Sequence, residues 1–185
     1  MPLLTALDIE TILDTFRIIV DTREQETERA RHRYKAFGVP YERGTLRYGD
    51  YSANISFDGL PLYDISVPVF SKCIIERKMS LDELAICFTS NRDRFEREFE
   101  RAVENNARIH LIVENGSYEK IIRHEYKSRF HPNAFLASLT AWSVRYQINV
   151  VFCQSMTSGR LIKEFLYRDI KERLEKGEFD QYEKQ

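Results

Sequence analysis

Hydrophobic and polar residues follow two periods along this chain. Helical spacing or helical composition predicts helices at 3–14, 26–37, 91–105, 117–126, 133–147 and 158–175, and one more that begins just after Lys78. Short apolar runs predict strands at 16–21, 51–57, 62–70, 72–78, 108–114 and 149–153. Because strands and helices alternate, the pattern predicts an α/β domain with a central mixed β-sheet flanked by helices.

Two of these strands carry additional signals. Apolar residues at every second position of 51–57 predict a strand that is buried on one face and solvated on the other. Asp58-Gly59 is a turn signal, and Pro68 indicates an edge or a break in the strand 62–70. The connection 58–72 is longer than a tight turn requires, and we expect it to protrude as a hairpin.

Three consecutive charges end the apolar strand that contains Ile74 and Ile75. Side chains alternate along a strand, so Glu76 and Lys78 share one face while Arg77 points to the other. A capping box at Ser80, completed by the glutamate three residues later, predicts a helix directly afterwards. The strand therefore delivers a carboxylate and an ammonium group to one place.

A second carboxylate is expected beside them. Gly49 permits a sharp turn before Asp50, and a hairpin over 51–75 brings Asp50 alongside Glu76. Two carboxylates and the Lys78 ammonium at a strand end suit a Mg²⁺ site, because this ion prefers oxygen ligands, water and phosphate. Lys78 would orient or deprotonate the attacking water, or stabilise the developing negative charge.

Four ordered blocks extend this pattern: IIVDTRE, then GD, then ERKMSLD after twenty-five intervening residues, then NRDRFEREFERA. In this order they resemble the signature of the XPF family of structure-specific endonucleases, over roughly residues 17–114. The resemblance implies a restriction-endonuclease-like core that cleaves branched DNA with Mg²⁺ or Mn²⁺.

The resemblance also implies roles for individual residues. Asp50 and Glu76 would be the principal metal ligands, joined by the backbone carbonyl of Arg77, and Lys78 would be the catalytic lysine. Asp21 and Glu24 would lie at the same end of the sheet and serve a second metal. Asp82 matches the closing acid of the motif, although a carboxylate in the first turn of a helix is also favoured by the helix dipole.

Several arginines are candidate DNA contacts. Arg23 and Arg77 would hold phosphates or brace the acidic cluster. Arg92 precedes Phe95 by about one turn and is expected to face the site. The basic run 29–35, with Arg29 and Arg33, is the best candidate patch for the DNA backbone, although such runs are usually solvated. The arginines at 94, 97 and 101 are expected on a solvated face with helix-spaced acids.

Composition narrows the class of protein. The 185 residues are 43% hydrophobic and 31% charged, with a formal net charge of −1, so a nucleic acid must be held by local basic patches. Cys73, Cys87 and Cys153 lack metal-type spacing and suit a reducing compartment. With neither a basic leader nor a long apolar run at the N-terminus, a cytoplasmic location is expected.

We expect residues 1–185 to form a single nuclease domain, with a helical extension at 1–15 and a C-terminal helix and tail at 158–185. The tandem helix-hairpin-helix motifs of many XPF relatives have no counterpart pattern here. A homodimer or a partner subunit is a further hypothesis, since the apolar faces of 133–147 and 158–175 suit either an interface or the core.

Three functional hypotheses follow. The first is a metal-dependent endonuclease that cuts flap, fork or junction DNA, with a role in phage or mobile-element recombination or repair. The second is a non-catalytic DNA-binding scaffold that partners an active nuclease, against which the intact acidic set argues. The third is a nuclease of the same fold that acts on unbranched DNA or RNA.

Overall fold

A computed structural model describes residues 4–58, 60 and 69–179. The strands of this part of the chain are β1 (Arg17–Asp21), β2 (Tyr41–Gly44), β3 (Tyr51–Ile55), β4 (Val69–Phe70), β5 (Cys73–Lys78), β6 (Arg108–Glu114) and β7 (Asn149–Cys153). The helices are α1 (Ala6–Asp14), α2 (Glu28–Lys35), α3 (Leu81–Phe88), α4 (Arg92–Glu104), α5 (Tyr118–Ile122), α6 (Pro132–Tyr146) and α7 (Ser155–Glu175). None of these helices combines the length and apolar character needed to cross a membrane.

The strands form one mixed sheet in the order β2-β1-β3-β5-β6-β7, with β4 paired to β3. β2 runs parallel to β1, and β5, β6 and β7 run parallel to one another. β3 is antiparallel to both β1 and β5, with Tyr51 opposite Ile75. The carboxyl ends of β1 and β5 therefore meet the start of β3 at the same end of the sheet.

Helices cover both faces of the sheet. One apolar core contains residues of α1, α2 and α7, and the other contains residues of α3, α4, α5 and α6. All five residues of β3 are buried, including Ser52 and Asn54, so the prediction of a half-solvated strand is wrong. Asn54 is tolerated there because its side-chain amide donates to Glu42 at 3.2 Å, and a hydrogen-bonded polar group can be buried at little cost.

Side-chain caps explain where several helices begin. The hydroxyl groups of Thr27, Ser80 and Ser117 each accept a backbone N–H of the first helical turn. The predicted capping box at Ser80 forms only in part, because the Glu83 carboxylate accepts the N–H of Met79 at 2.7 Å. This bond still fixes the chain directly after Lys78.

Most predicted elements are confirmed, within a few residues at their ends. β2 was missed because YERG is polar and mostly exposed, so it carries no burial pattern. α5 is shorter than predicted and α7 begins three residues earlier. Gly59 of the predicted turn, the 62–68 part of the predicted strand and most of the 58–72 connection lie outside the described residues.

The two faces proposed for a homodimer belong to the core. Phe135, Leu139 and Trp142 on α6 are at most 1% exposed, and the apolar stripe of α7 is equally buried. Neither stripe is therefore available to a partner, and of the two alternatives that the sequence leaves open, the core is the one observed. The homodimer itself stays a prediction that needs another surface.

Candidate active site at the strand ends

Gly49 sets the position of the first acidic residue. Its φ of +73° lies in the left-handed region, and a Cβ at this position would lie 2.1 Å from Ile74 Cγ2. The following residue, Asp50, donates its N–H to the Ile75 carbonyl at 2.8 Å, and its carbonyl accepts the Asp21 N–H at 2.9 Å. The glycine turn thus ties Asp50 to the ends of β1 and β5.

The carboxylates of Asp50 and Glu76 meet at this junction. Because Tyr51 pairs with Ile75 in an antiparallel ladder, the next opposed positions are Asp50 and Glu76. Asp50 Oδ2 accepts the Arg77 N–H at 2.8 Å, which holds the carboxylate against β5. The structure therefore brings together the two acids that the hairpin geometry predicts.

Lys78 lies on the same face as Glu76, as strand alternation requires. Its Nζ donates to Glu76 Oε1 at 2.6 Å and lies 5.1 Å from the centre of the Phe95 ring. The ammonium is buried between a carboxylate and an aromatic face, both of which stabilise its charge. The side chain of Arg77 points to the opposite face, where it contacts Glu24 and Glu114.

Burial and mutual repulsion perturb the ionisation of this cluster. Burial raises the pKa of Asp50 well above its usual range, and the Glu76 carboxylate adds to the increase. Burial also raises the pKa of Glu76, although Lys78 opposes the increase. Burial lowers the pKa of Lys78, but Glu76 and Asp50 more than offset this, so the net pKa is raised. The site holds more acid groups than its one lysine can neutralise.

A cavity of about 260 Å³ opens over these residues. Its lining comprises Arg23, Glu24, Gly49, Asp50, Glu76, Lys78, Glu83, Ile86, Cys87, Asn91, Arg94, Phe95 and Glu98. Asp50 Oδ1 and Glu76 Oε2 accept no hydrogen bond from any described residue. These two oxygens belong to residues that line the cavity and have no hydrogen-bond donor in the described part of the chain, so they are a fitting donor pair for a divalent cation.

The same part of the chain contains no cluster of three or more acidic, histidine or cysteine side chains arranged around one metal position. An ion bound between Asp50 and Glu76 would take its other ligands from backbone, water or phosphate. This suits Mg²⁺, which commonly binds one or two carboxylates and keeps several waters.

The acids predicted for a second metal are placed differently from each other. Glu24 lines the cavity, but its Oε2 accepts the Tyr51 hydroxyl at 2.8 Å and Arg77 Nη2 at 3.3 Å. Asp21 lies outside the cavity lining among the described residues, and its carboxylate accepts hydrogen bonds from Arg23 and the Leu46 N–H. Burial raises the pKa of Asp21, but the hydrogen bonds from Arg23 outweigh it and the net pKa is lowered. Asp21 thus anchors Arg23 and the Leu46 backbone.

Two predicted DNA contacts, Arg33 and Arg77, are buried in an ionic network. Arg33 Nε donates to Glu114 Oε1 at 3.3 Å, and Arg77 Nη1 lies 3.5 Å from Glu114 Oε2. Both guanidinium groups also face Glu24. The side chains of Arg33 and Arg77 are 6% and 12% exposed, so their charges are used internally. For Arg77 the alternative of bracing the acidic cluster is the one observed, whereas Arg33 is neither a surface DNA contact nor solvated.

Three other predicted residues lie away from the cavity. Asp82 accepts the N–H groups of Lys127 and Ser128, each at 2.7 Å, and so holds a surface loop. The Arg92 guanidinium lies 5.5 Å from the centre of the Trp142 ring, so the expectation that Arg92 faces the site is wrong. Arg29 is exposed on α2, beside a separate cavity.

The sequence reasoning missed Glu98 and Arg94. Both residues line the cavity. Burial is the largest cause of the raised pKa of Glu76, Lys78 opposes it, and the charge of Glu98 adds a smaller increase. On a helix wheel Glu98 and Arg92 flank the buried Phe95–Phe99 stripe on opposite sides. The stripe is visible in the sequence, but which flank faces the cavity depends on how α4 packs on the sheet.

Comparison with known proteins finds a matching domain family and similar solved structures. The profile of the ERCC4 domain matches residues 20–165. XPF from Aeropyrum pernix is 20% identical, covers 90% of this chain and 71% of its own, and superposes with a TM-score of 0.58. XPF from Aeropyrum pernix in complex with DNA is 22% identical, covers 82% of this chain and 63% of its own, and gives a TM-score of 0.55. No curated protein sequence matches the chain.

At these identities the likeness to the solved structures shows the fold alone. It confirms the restriction-endonuclease-like α/β core expected from the sequence. Activity, substrate and metal have to be argued from the residues of the cavity.

Proposed function

Because this chain belongs to the ERCC4 domain family, we propose that it is a divalent-metal-dependent endonuclease that hydrolyses phosphodiester bonds in branched DNA. The observation that supports this most directly is the meeting of Asp50, Glu76 and Lys78 at the edge of one cavity. An acid pair beside a lysine suits phosphate chemistry, since a metal and an ammonium group both stabilise negative charge.

Asp50 and Glu76 would hold Mg²⁺ or Mn²⁺, with the Arg77 carbonyl as a further ligand. When bound, the ion lowers the pKa of a coordinated water and offsets charge on the phosphate. Glu24 is the better placed of the two acids proposed for a second ion, because it lines the cavity while the Asp21 carboxylate is occupied by Arg23 and Leu46.

Lys78 supports the reaction as a charged donor. Its raised pKa keeps the ammonium protonated, so it suits stabilisation of the developing phosphate charge better than removal of a proton from water. Glu76 and the Phe95 ring hold this group in place, which limits the reorganisation needed when charge develops. Of the roles left open by the sequence, we propose that of an electrostatic stabiliser.

DNA is the proposed polymer because a protein of the same fold is known in complex with DNA, and a nucleic-acid strand would reach the cavity past the exposed Arg23 and Arg94. The preference for branched DNA rests on family membership. A panel of labelled flap, fork, four-way, blunt duplex and single-stranded DNA, together with single-stranded RNA, separates this preference from cleavage of unbranched DNA or RNA.

The direct experiment is cleavage of that panel with Mg²⁺, with Mn²⁺ and with a chelator. Asp50→Asn and Glu76→Gln remove one proposed ligand each, while Asp14→Asn on α1 makes the same change in charge at an exposed position on the opposite face of the sheet. We expect metal-dependent cutting by the parent and by Asp14→Asn, and a loss of at least about a hundredfold in the other two.

Metal binding is measured independently by the melting temperature. The parent should be stabilised by Mn²⁺, by about 2.7 kcal/mol at a hundred times the Kd, and Asp50→Asn should lose this shift. If Asp50→Asn and Glu76→Gln cut as fast as the parent, the endonuclease proposal is wrong. DNA binding without either cleavage or a Mn²⁺ shift would instead favour the non-catalytic scaffold.

A further inference from the structure

The outer surface of α4 carries arginines that lead away from the cavity. Arg94, Arg97 and Arg101 are separated by three and four residues, so they share one flank of the helix. All three are exposed, and Arg94 also lines the cavity. The flank therefore begins at the proposed active site and continues along the helix beyond it.

Glu98 connects this flank to a second arginine at the cavity mouth. Its Oε1 lies 3.9 Å from Arg94 Nε and 4.0 Å from Arg23 Nη1. Arg23 is held in turn by Asp21, since its Nε donates to Asp21 Oδ1 at 2.7 Å. Arg94 therefore begins the flank beside a guanidinium group whose position is fixed by the end of β1.

The two arginines of this flank that lie farther from the cavity, Arg97 and Arg101, have no ion-pair partner in the described part of the chain. Asp93 precedes Arg97 by four residues and Glu104 follows Arg101 by three, yet neither arginine forms an ion pair within 4.0 Å with any described residue. Elsewhere on the helix, Glu96 accepts hydrogen bonds from Arg145 and the Tyr146 hydroxyl. The solvated salt-bridged face expected from the sequence is thus limited to the Arg94–Glu98 pair at the cavity.

We propose that Arg94, Arg97 and Arg101, the α4 arginine track, bind backbone phosphates of the DNA strand that enters the cavity. This inference rests on the proposed function. The track spans about 10 Å, since each helical residue rises about 1.5 Å, and duplex phosphates follow one another at about 3.4 Å along the axis of each strand. A protein with a net charge of −1 needs such a local patch to hold a polyanion.

The track contacts backbone phosphates, so it contributes affinity without base preference. Its signature is the salt dependence of binding, because each phosphate contact contributes about 0.9 to the slope of log K against log salt concentration. Replacement of two track residues should therefore lower that slope by about 1 to 2 for every branched DNA tested.

The test compares Arg97→Gln/Arg101→Gln with Arg160→Gln/Arg168→Gln. The control pair is exposed on α7, which covers the opposite face of the sheet, and it removes the same two charges. Binding of a fluorescein-labelled flap DNA is measured by anisotropy in chelator over a range of salt concentrations, so that no cleavage occurs. Circular dichroism melting establishes that all variants are folded.

We expect weaker binding and a smaller slope for the α4 variant and parental values for the α7 control. An α4 variant that binds with the parental slope would overturn the track. An equal loss in the α7 control would also overturn it, because net charge alone would then explain the effect. If the parent neither binds nor cuts, the proposed function fails and the track with it, whereas a parent that cuts beside an unaffected α4 variant refutes the track alone.

Discussion

Gly49→Ala tests how the backbone positions the acid pair. Gly49 has a φ of +73°, and an added Cβ would lie 2.1 Å from Ile74 Cγ2 and 3.1 Å from the Ile75 carbonyl oxygen. Both contacts are with β5, the strand that carries Glu76. The methyl group therefore has to push β5 away or rotate Asp50 out of its hydrogen bonds.

The cost has two separable parts. The left-handed conformation of a residue with a side chain costs about 1–2 kcal/mol. The overlap with Ile74, which is 6% exposed, adds about 1–3 kcal/mol of overpacking, so the total is about 2–5 kcal/mol. Gly38 offers a matched control, because its φ is +66° but nothing lies within 4 Å of an added Cβ. Gly38→Ala should therefore carry the conformational part alone, about 1–2 kcal/mol.

Urea denaturation gives the free energy of unfolding of both variants, and single-turnover cleavage of flap DNA gives their activity. We expect Gly49→Ala to lose more stability than Gly38→Ala and also to lose cleavage, because Asp50 moves relative to Glu76. Gly38→Ala should cut at the parental rate. Equal losses of stability in the two variants would refute the argument that close approach to β5 requires this glycine.

Three further predictions concern charges in and around the site. In metal-free buffer the free energy of unfolding of the parent should fall as pH rises through the raised pKa of Asp50, because the folded state binds more protons than the unfolded state. Asp50→Asn should lack this part of the pH dependence. If urea denaturation gives the parent and Asp50→Asn the same pH dependence between about pH 4 and 8, the prediction is wrong. Arg33→Met leaves the buried Glu114 without one of its cations, and we expect urea denaturation to show a free energy of unfolding lower by about 3–5 kcal/mol. A decrease below about 1 kcal/mol would mean that the Arg33 charge is not needed to neutralise Glu114. Asp82→Ala removes the acceptor of two loop N–H groups, so stability should fall by about 1–3 kcal/mol while the folded protein cuts at the parental rate; a selective loss of cleavage would instead support a catalytic Asp82.

Much of the site is predictable because it depends on short-range geometry. Strand alternation places Glu76 and Lys78 on one face within three residues, and a hairpin needs only the antiparallel register to bring Asp50 opposite. A glycine before that aspartate signals a backbone conformation that other residues adopt only with strain. These relations hold whatever packs around them.

The interaction partners of the other charged side chains depend on contacts between segments that are distant in the sequence. Arg33 and Glu114 are 81 residues apart and meet only in the folded chain, where α2 packs against α7, and this converts a predicted DNA contact into a buried ion pair. The Asp82 carboxylate binds a loop 45 residues away, so its place in the motif does not reveal this role. A charge has no fixed partner until the chain folds, because ion pairing depends on distance in space.

The alternation of strands and helices, the buried stripe of α4 and the acid pair with its lysine can all be predicted, since they follow from periodicity and local backbone geometry. Packing between distant elements establishes that β3 is covered on both faces and that the stripes of α6 and α7 belong to the core. It also establishes that Glu98 and Arg94, not Arg92, face the cavity. A period identifies a buried face but carries no information about what will cover it or which flank will meet a neighbour. The element that covers a buried face is set by how whole helices and strands pack together, because this packing has to bury apolar area and fit side-chain shapes throughout the domain.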